Sequence, residues 1–184
     1  MGKRSSFDRN PRDYYPTPPE AVTPLLPHLP RDFSYWEPCA GDGALIDALP
    51  GRCIAATDIH PMRQDVERGD ALVSDYSTQA DFIITNPPWE RSLLHPMIDR
   101  LSGLKPTWLL FDADWPHTRQ ATPFLPHLRK IVSVGRVKWI QGSKHSGKDN
   151  CCWYLFDKSS SGQAQFYGRT SNKPEKMQFS FIFA

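Results

Sequence analysis

Asp81-Phe82-Ile83-Ile84-Thr85-Asn86-Pro87-Pro88-Trp89 is an apolar run that ends abruptly in an amide, two prolines and an aromatic ring. Phe82, Ile83 and Ile84 have the continuous β-favouring character of a strand covered on both faces, as in a parallel sheet. Pro87 and Pro88 end it. Each proline fixes its own φ and biases the preceding residue towards extended geometry, so the Asn86 amide and the carbonyls of Asn86 and Pro87 are presented in a nearly fixed arrangement. Converging acceptors beside an aromatic face suit a planar amine that must be held, polarised and stacked. Taken alone, the tetrapeptide Asn86–Trp89 also fits an ordinary turn after a core strand, because Asn and Pro are common turn residues.

The flanking sequence supplies the rest of an α/β pattern. Phe33–Glu37 reads as a strand, Pro38-Cys39-Ala40-Gly41-Asp42-Gly43 as a glycine turn, and Ala44 to about Leu49 as a helix. This is the first half of a nucleotide-binding βαβ unit, whose glycines let backbone approach a ligand closely. The next strand, Arg52–Thr57, ends at Asp58, where an acidic side chain would accept hydrogen bonds from ribose hydroxyls. A short third strand falls within Val66–Leu72 and includes Gly69-Asp70; Phe82–Thr85 is the fourth. A helix follows from about Arg91 to Leu101, then a strand Thr107–Phe111 and a helix near Gln120–Leu128. Strands Lys130–Ile140 and Cys151–Phe156 pair across a loop from Gln141 to Asn150. Upstream, Thr17-Pro18-Pro19-Glu20 carries a capping-box signature, with Thr17 as N-cap and Pro18 at the first helical position. The expected fold is a mainly parallel seven-stranded sheet with an antiparallel last strand and helices on both faces.

With 184 residues, 39% of them hydrophobic, the chain can bury one sizeable core and has little left for a second domain. Residues 1–13 read as a flexible basic arm, 14–157 as the folded domain, and 158–184 as a linker and a poorly defined tail. No apolar segment approaches a membrane span and the amino terminus has no apolar signal region, so the expected compartment is the cytoplasm. Cys39, Cys53, Cys151 and Cys152 lack the paired spacing of a zinc site and read as small core thiols. Net charge is only +2, but Trp115–Lys148 contains no Asp or Glu while holding Arg119, Arg129, Lys130, Arg136, Lys138, Lys144 and Lys148. Such local excess suits a polyanion partner as well as a solvated basic face.

Thr17-Pro18-Pro19-Glu20, Glu37-Pro38-Cys39-Ala40-Gly41-Asp42-Gly43, Thr57-Asp58, Asp70 and Asn86-Pro87-Pro88-Trp89 together resemble the ordered motifs of S-adenosylmethionine-dependent adenine-N6 DNA methyltransferases. Placement of the Thr-Pro-Pro-Glu motif before the glycine motif is similar to their gamma-type order, and the small size is similar to phage and prophage members. The resemblance covers about residues 14–157 and implies a Rossmann-like class I methyltransferase fold with S-adenosylmethionine as cofactor and no metal. It places Tyr15, Thr17 and Pro18 at the methionine end of the cofactor. Glu37, Cys39, Gly41 and Gly43 would surround its amino-acid and sulfonium portions, Asp58 and Ile59 its ribose, and Asp70 and Ala71 its adenine. Asn86, Pro87 and Pro88 would then hold the target amine and Trp89 would stack on the base, which family members flip out of the duplex. Lys138, Trp139, Lys144, His145 and Lys148 are the candidate nucleic-acid contacts, with Trp139 equally suited to the core and His145 to a solvated surface.

Related gamma-type enzymes carry a large target-recognition domain for which this chain has no room, so specificity falls to the 141–150 loop, to a partner subunit or to self-association. Asn-Pro-Pro-aromatic motifs also occur in methyltransferases of RNA bases and of protein glutamine, which share the planar amine. A silent nucleic-acid-binding subunit of a methyltransferase complex is the non-enzymatic alternative, against which the intact Asn86–Trp89 set and Asp58 count.

Overall fold

The computed structural model describes residues 14–139, 147 and 149–169. Its centre is an eight-stranded sheet built from β1 (Ser34–Glu37), β2 (Arg52–Asp58), β3 (Glu67–Arg68), β4 (Phe82–Thr85), β5 (Thr107–Asp112), β6 (Leu128–Arg136), β7 (Asn150–Phe156) and β8 (Gln165–Tyr167). The order across the sheet is β3-β2-β1-β4-β5-β7-β6-β8, with β7 antiparallel to both its neighbours and every other pair parallel.

Alternation along the strands builds two cores. Tyr35, Ile84, Trp108, Leu110 and Trp153 point to the face covered by α1 (Pro19–Val22) and α2 (Ala44–Ala48). Trp36, Ile83, Leu109, Phe111 and Tyr154 point to the opposite face, where α3 (Arg91–Leu104) lays down Leu94, Met97, Ile98 and Leu101. Those α3 residues recur at three- and four-residue spacing, so one helical stripe meets the sheet. Two of the buried tryptophan N–H groups tie elements together. Trp153 Nε1 donates to the Ala21 carbonyl at 2.8 Å, pinning α1 to the sheet, and Trp36 Nε1 donates to Thr57 Oγ1 at 3.0 Å, tying β1 to β2.

Several sequence expectations are corrected. The sheet has eight strands rather than seven, because Gln165–Tyr167, expected in the linker and tail, pairs in parallel with Lys130–Val132 of β6. His28 meets the Tyr167 ring at 4.3 Å, and the Arg129 guanidinium bonds the carbonyls of Ser160 and Gly162, so this return is fastened at both ends. The helix expected at Gln120–Leu128 is instead part of a run of three-residue 3-10 turns, Trp115–His117, Arg119–Ala121 and Leu125–His127. Pro116, Pro123 and Pro126 remove too many donors for a continuous α-helix. β6 stops at Arg136 rather than Ile140, and the third strand is only two residues long.

Thr17 is not a helix cap. Pro18 occupies the cap position of α1, no side chain caps it, and the Thr17 hydroxyl is used elsewhere.

Candidate active site

The carboxyl ends of β2, β1 and β4 are neighbours, and the chain reverses its order of strand addition between β1 and β4. Open α/β sheets bind ligands in the crevice at such a switch point. A cavity of about 850 Å³ lies there, within the size range of small-molecule sites.

Most residues singled out from sequence border it. Tyr15 and Thr17 come from the segment before α1, Glu37 and Cys39 from the end of β1, Asp58 and Ile59 from the end of β2, Asp70 and Ala71 from the loop after β3, and Asn86 and Pro88 from the tip of β4. Pro18, Gly41, Gly43, Pro87 and Trp89 are not in its wall. Pro18 is buried at the start of α1, and the two glycines stand behind the wall in the turn between β1 and α2.

That turn needs its glycines. Gly41 has φ +53° and Gly43 φ +80°, in the left-handed region. A Cβ at Gly41 would come 2.5 Å from Tyr14 Cε2, and one at Gly43 would strike the Arg63 guanidinium. Asp58 organises the same turn, with Oδ2 accepting the Gly41 amide at 2.9 Å and Oδ1 the His60 amide at 2.7 Å. Each carboxylate oxygen keeps further acceptor capacity. Asp70 Oδ1 accepts the Leu72 amide at 2.8 Å and so shapes its own loop.

Glu37 is 1% exposed, and its Oε2 has no hydrogen-bond partner among the described residues. A buried oxygen left unpaired costs free energy unless a ligand completes it. Burial, with the Asp58 carboxylate nearby and Arg63 opposing, pushes the Glu37 carboxyl well above its usual range. Burial also pushes the Cys39 thiol up, leaving a neutral wall rather than a nucleophile.

At the tip of β4, Asn86 Nδ2 donates to the Tyr15 carbonyl at 3.3 Å and to Thr17 Oγ1 at 3.2 Å, while Oδ1 accepts the Trp89 indole N–H at 3.3 Å. Trp89 is half-buried and packs against both cores, and its N–H also reaches the Leu110 carbonyl at 3.0 Å. Trp139 stands edge-on to it, with centroids 5.7 Å apart at 87°, and 6.3 Å from Tyr15. Lys138 is exposed beside Trp139. Lys144, His145 and Lys148 lie outside the described residues.

The basic excess of the second half divides in space. Arg129 and Lys130 sit at the start of β6, Arg129 on backbone carbonyls and Lys130 6.0 Å from the Tyr167 ring. Arg136 and Lys138 are exposed at its other end, the end that carries Asn150 and the tip of β5.

Sequence reasoning missed Tyr14, Asp42, Arg63, Leu93 and Met97. Tyr14 covers Gly41, and burial, then Asp42, push its hydroxyl up. Arg63 bridges Asp47 at 2.9 Å and Asp65 at 2.5 Å over Gly43. Leu93 and Met97 of α3 close the cavity's apolar side. An aromatic residue just ahead of the Thr17 motif was the signal available for Tyr14, and a place between the two turn glycines that for Asp42; Arg63, Leu93 and Met97 carried none. Among the described residues no group of three or more His, Cys, Asp or Glu could hold a metal, and no helix is long and apolar enough to cross a membrane.

No family model matches the chain and no curated protein sequence matches it. Solved structures do. The 23S rRNA methyltransferase ErmE superposes with a TM-score of 0.50 at 14% identity over 77% of this chain and 68% of that one. A Listeria monocytogenes protein classed among class I S-adenosylmethionine-dependent methyltransferases gives 0.54 at 10% identity over 83% and 63%. A chain of a type I restriction-modification system gives 0.51 at 12% identity over 84% and 44%. This chain thus spans less than two thirds of the last two. The protein has the fold of the class I S-adenosylmethionine-dependent methyltransferases.

Proposed function

We propose that this protein transfers a methyl group from S-adenosylmethionine to the exocyclic N6 amine of adenine in DNA. The observation that carries the reading is the tip of β4, where Asn86 and Pro88 border the same cavity as Glu37, Asp58 and Asp70, while the Trp89 ring packs on the cores behind it. When bound, S-adenosylmethionine supplies an electrophilic methyl group on a cationic sulfur. The residues present fit it. Glu37 Oε2, buried and unpaired at the cavity wall, suits the ammonium of its amino-acid portion. Asp58 retains lone pairs for ribose hydroxyls, and Asp70, which lines the same cavity as Ala71, Leu93 and Met97, would accept the adenine amine.

The adenine amine is a poor nucleophile because its lone pair is delocalised into the ring. Asn86 Oδ1 and the Pro87 carbonyl accept its two hydrogens, favour the pyramidal form and aim the lone pair, and positioning of this kind supplies a large share of a displacement barrier. Arg136 and Lys138 at the same end of the sheet meet phosphates.

Nucleoside mass spectrometry of unmethylated DNA and RNA, each incubated with the protein and isotopically labelled S-adenosylmethionine, tests this. Labelled N6-methyladenine in DNA, absent with Asn86→Ala, is the expected result. Label in RNA alone moves the reading to an RNA base, and no label in either, with cofactor bound, moves it to a protein amide or a missing partner.

A further inference from the structure

Asn86 is held from three sides, by two groups 71 and 69 residues away in sequence and by Trp89, three residues on. Both Nδ2 contacts, the Tyr15 carbonyl and Thr17 Oγ1, lie in the segment before α1, and the Oδ1 contact is the Trp89 indole N–H. A half-turn of the amide would set Nδ2 against the indole donor and Oδ1 against the Tyr15 carbonyl, pairing donor with donor and acceptor with acceptor. The network therefore admits one orientation. In that orientation Oδ1 spends one lone pair on Trp89 and keeps the other.

Trp89 is itself anchored, since its N–H is shared with the Leu110 carbonyl of β5 and its ring packs on both cores outside the cavity wall. Thr17 is 4% exposed, and its Oγ1 accepts the Asn86 Nδ2 hydrogen at 3.2 Å. Phenylalanine in place of Trp89 would keep an aromatic face but remove the N–H.

We propose that Thr17 and Trp89 are positioning residues that lock the Asn86 amide with its oxygen towards the target amine, which makes the segment before α1 part of the reacting site. This rests on the reading of Asn86 as the acceptor of that amine. The segment then borders the cofactor cavity on one side and orients the acceptor on the other.

The test compares Thr17→Val, Thr17→Ser and Trp89→Phe with the wild type in steady-state methyl transfer, in cofactor affinity, and in hydrogen exchange of the Asn86 Nδ2 protons by nitrogen-15 NMR, assigned by their loss in Asn86→Ala. Thr17→Val and Trp89→Phe should each lower kcat by about three- to tenfold, the worth of one neutral hydrogen bond. KM for DNA and cofactor Kd should stay within about twofold, Thr17→Ser should recover most of the rate, and Nδ2 exchange should accelerate in Thr17→Val and Trp89→Phe but not in Thr17→Ser. Equal rates for Thr17→Val and Thr17→Ser, or a Thr17→Val loss confined to cofactor affinity, would overturn the proposal. If the wild type methylates no nucleic acid, the proposed function fails on its own, and unchanged Nδ2 exchange in both Thr17→Val and Trp89→Phe still overturns the lock.

Discussion

Glu37 is the residue at which stability and binding oppose each other most directly. Its carboxyl is buried with an unpaired Oε2 and is held well above the ordinary carboxyl range by burial and by Asp58. The folded, ligand-free protein therefore keeps a proton that the unfolded chain releases. The stability tied to that proton is fully present below the ordinary carboxyl pKa and is lost as pH rises through the elevated one. Glu37→Gln stays neutral throughout, so the ligand-free variant should melt higher than wild type at pH 8, by about 2–4 °C for each kcal/mol relieved, and not at pH 4. S-adenosylmethionine should raise the melting temperature of wild type at pH 8 and leave that of Glu37→Gln nearly unmoved. Thermal unfolding at the two pH values, with and without cofactor, checks both statements. If Asn86 acts on the target amine as proposed, Asn86→Ala should abolish methyl transfer while isothermal titration finds cofactor affinity nearly unchanged. The places of Glu37, Asp58 and Asn86 at the cavity were legible in sequence because each stands at or just past the end of a strand and in a local motif, and that of Asp70 because it follows the short β3. Arg63 was not, since its place over Gly43 depends on a loop twenty residues away.

Among the elements, the glycine turn between β1 and α2 tolerates least. At Gly41 a side chain meets both the left-handed φ and the Tyr14 ring. Gly41→Ala should cost about 1–2 kcal/mol from backbone conformation alone, and displacement of Tyr14 adds to that; chemical denaturation measures the sum. α3 carries a second handle. Trp115 Nε1 donates to His95 Nε2 at 3.1 Å, and burial, then Arg91, hold that imidazole below its usual range. A depressed histidine contributes stability above its unfolded pKa and loses it as pH falls. Between pH 7.5 and 5.5 this effect lowers the melting temperature while protonation of Glu37 raises it, so the expected outcome is a difference: acidification should shift wild type less favourably than His95→Gln. His28 is depressed as well, by burial and then Lys130, so the difference between wild type and variant is what isolates His95. Strands and α3 follow from apolar periodicity. The 3-10 run from Trp115 to His127 does not, because its aromatic and leucine content suggests a helix that its prolines forbid.

For the whole molecule, the balance of charge matters less than its placement. Net charge is +2, and of the basic residues in the second half Arg129 and Lys130 are turned to β8, while Arg136 and Lys138 face out at the cavity end. If DNA binds there, the double variant Arg136→Ala, Lys138→Ala should weaken binding without regard to sequence. It should also flatten the dependence of log affinity on log salt by about 2, near 0.9 for each phosphate that the variant no longer neutralises. Fluorescence anisotropy across a salt series reads that slope. A slope that stays the same would place the nucleic-acid surface elsewhere.

By itself the sequence determined the α/β layering, the parallel strands β1, β2, β4 and β5, and the residues at their carboxyl ends, because apolar periodicity, proline and glycine act locally. Tertiary structure alone decided the eighth strand, since Gln165–Tyr167 is too short and too exposed to announce itself and becomes a strand only against the free edge of β6. It also decided that the Thr17 hydroxyl serves Asn86 rather than a helix end. Hydrogen-bond partners 69 residues apart are chosen by packing, and no local pattern encodes them.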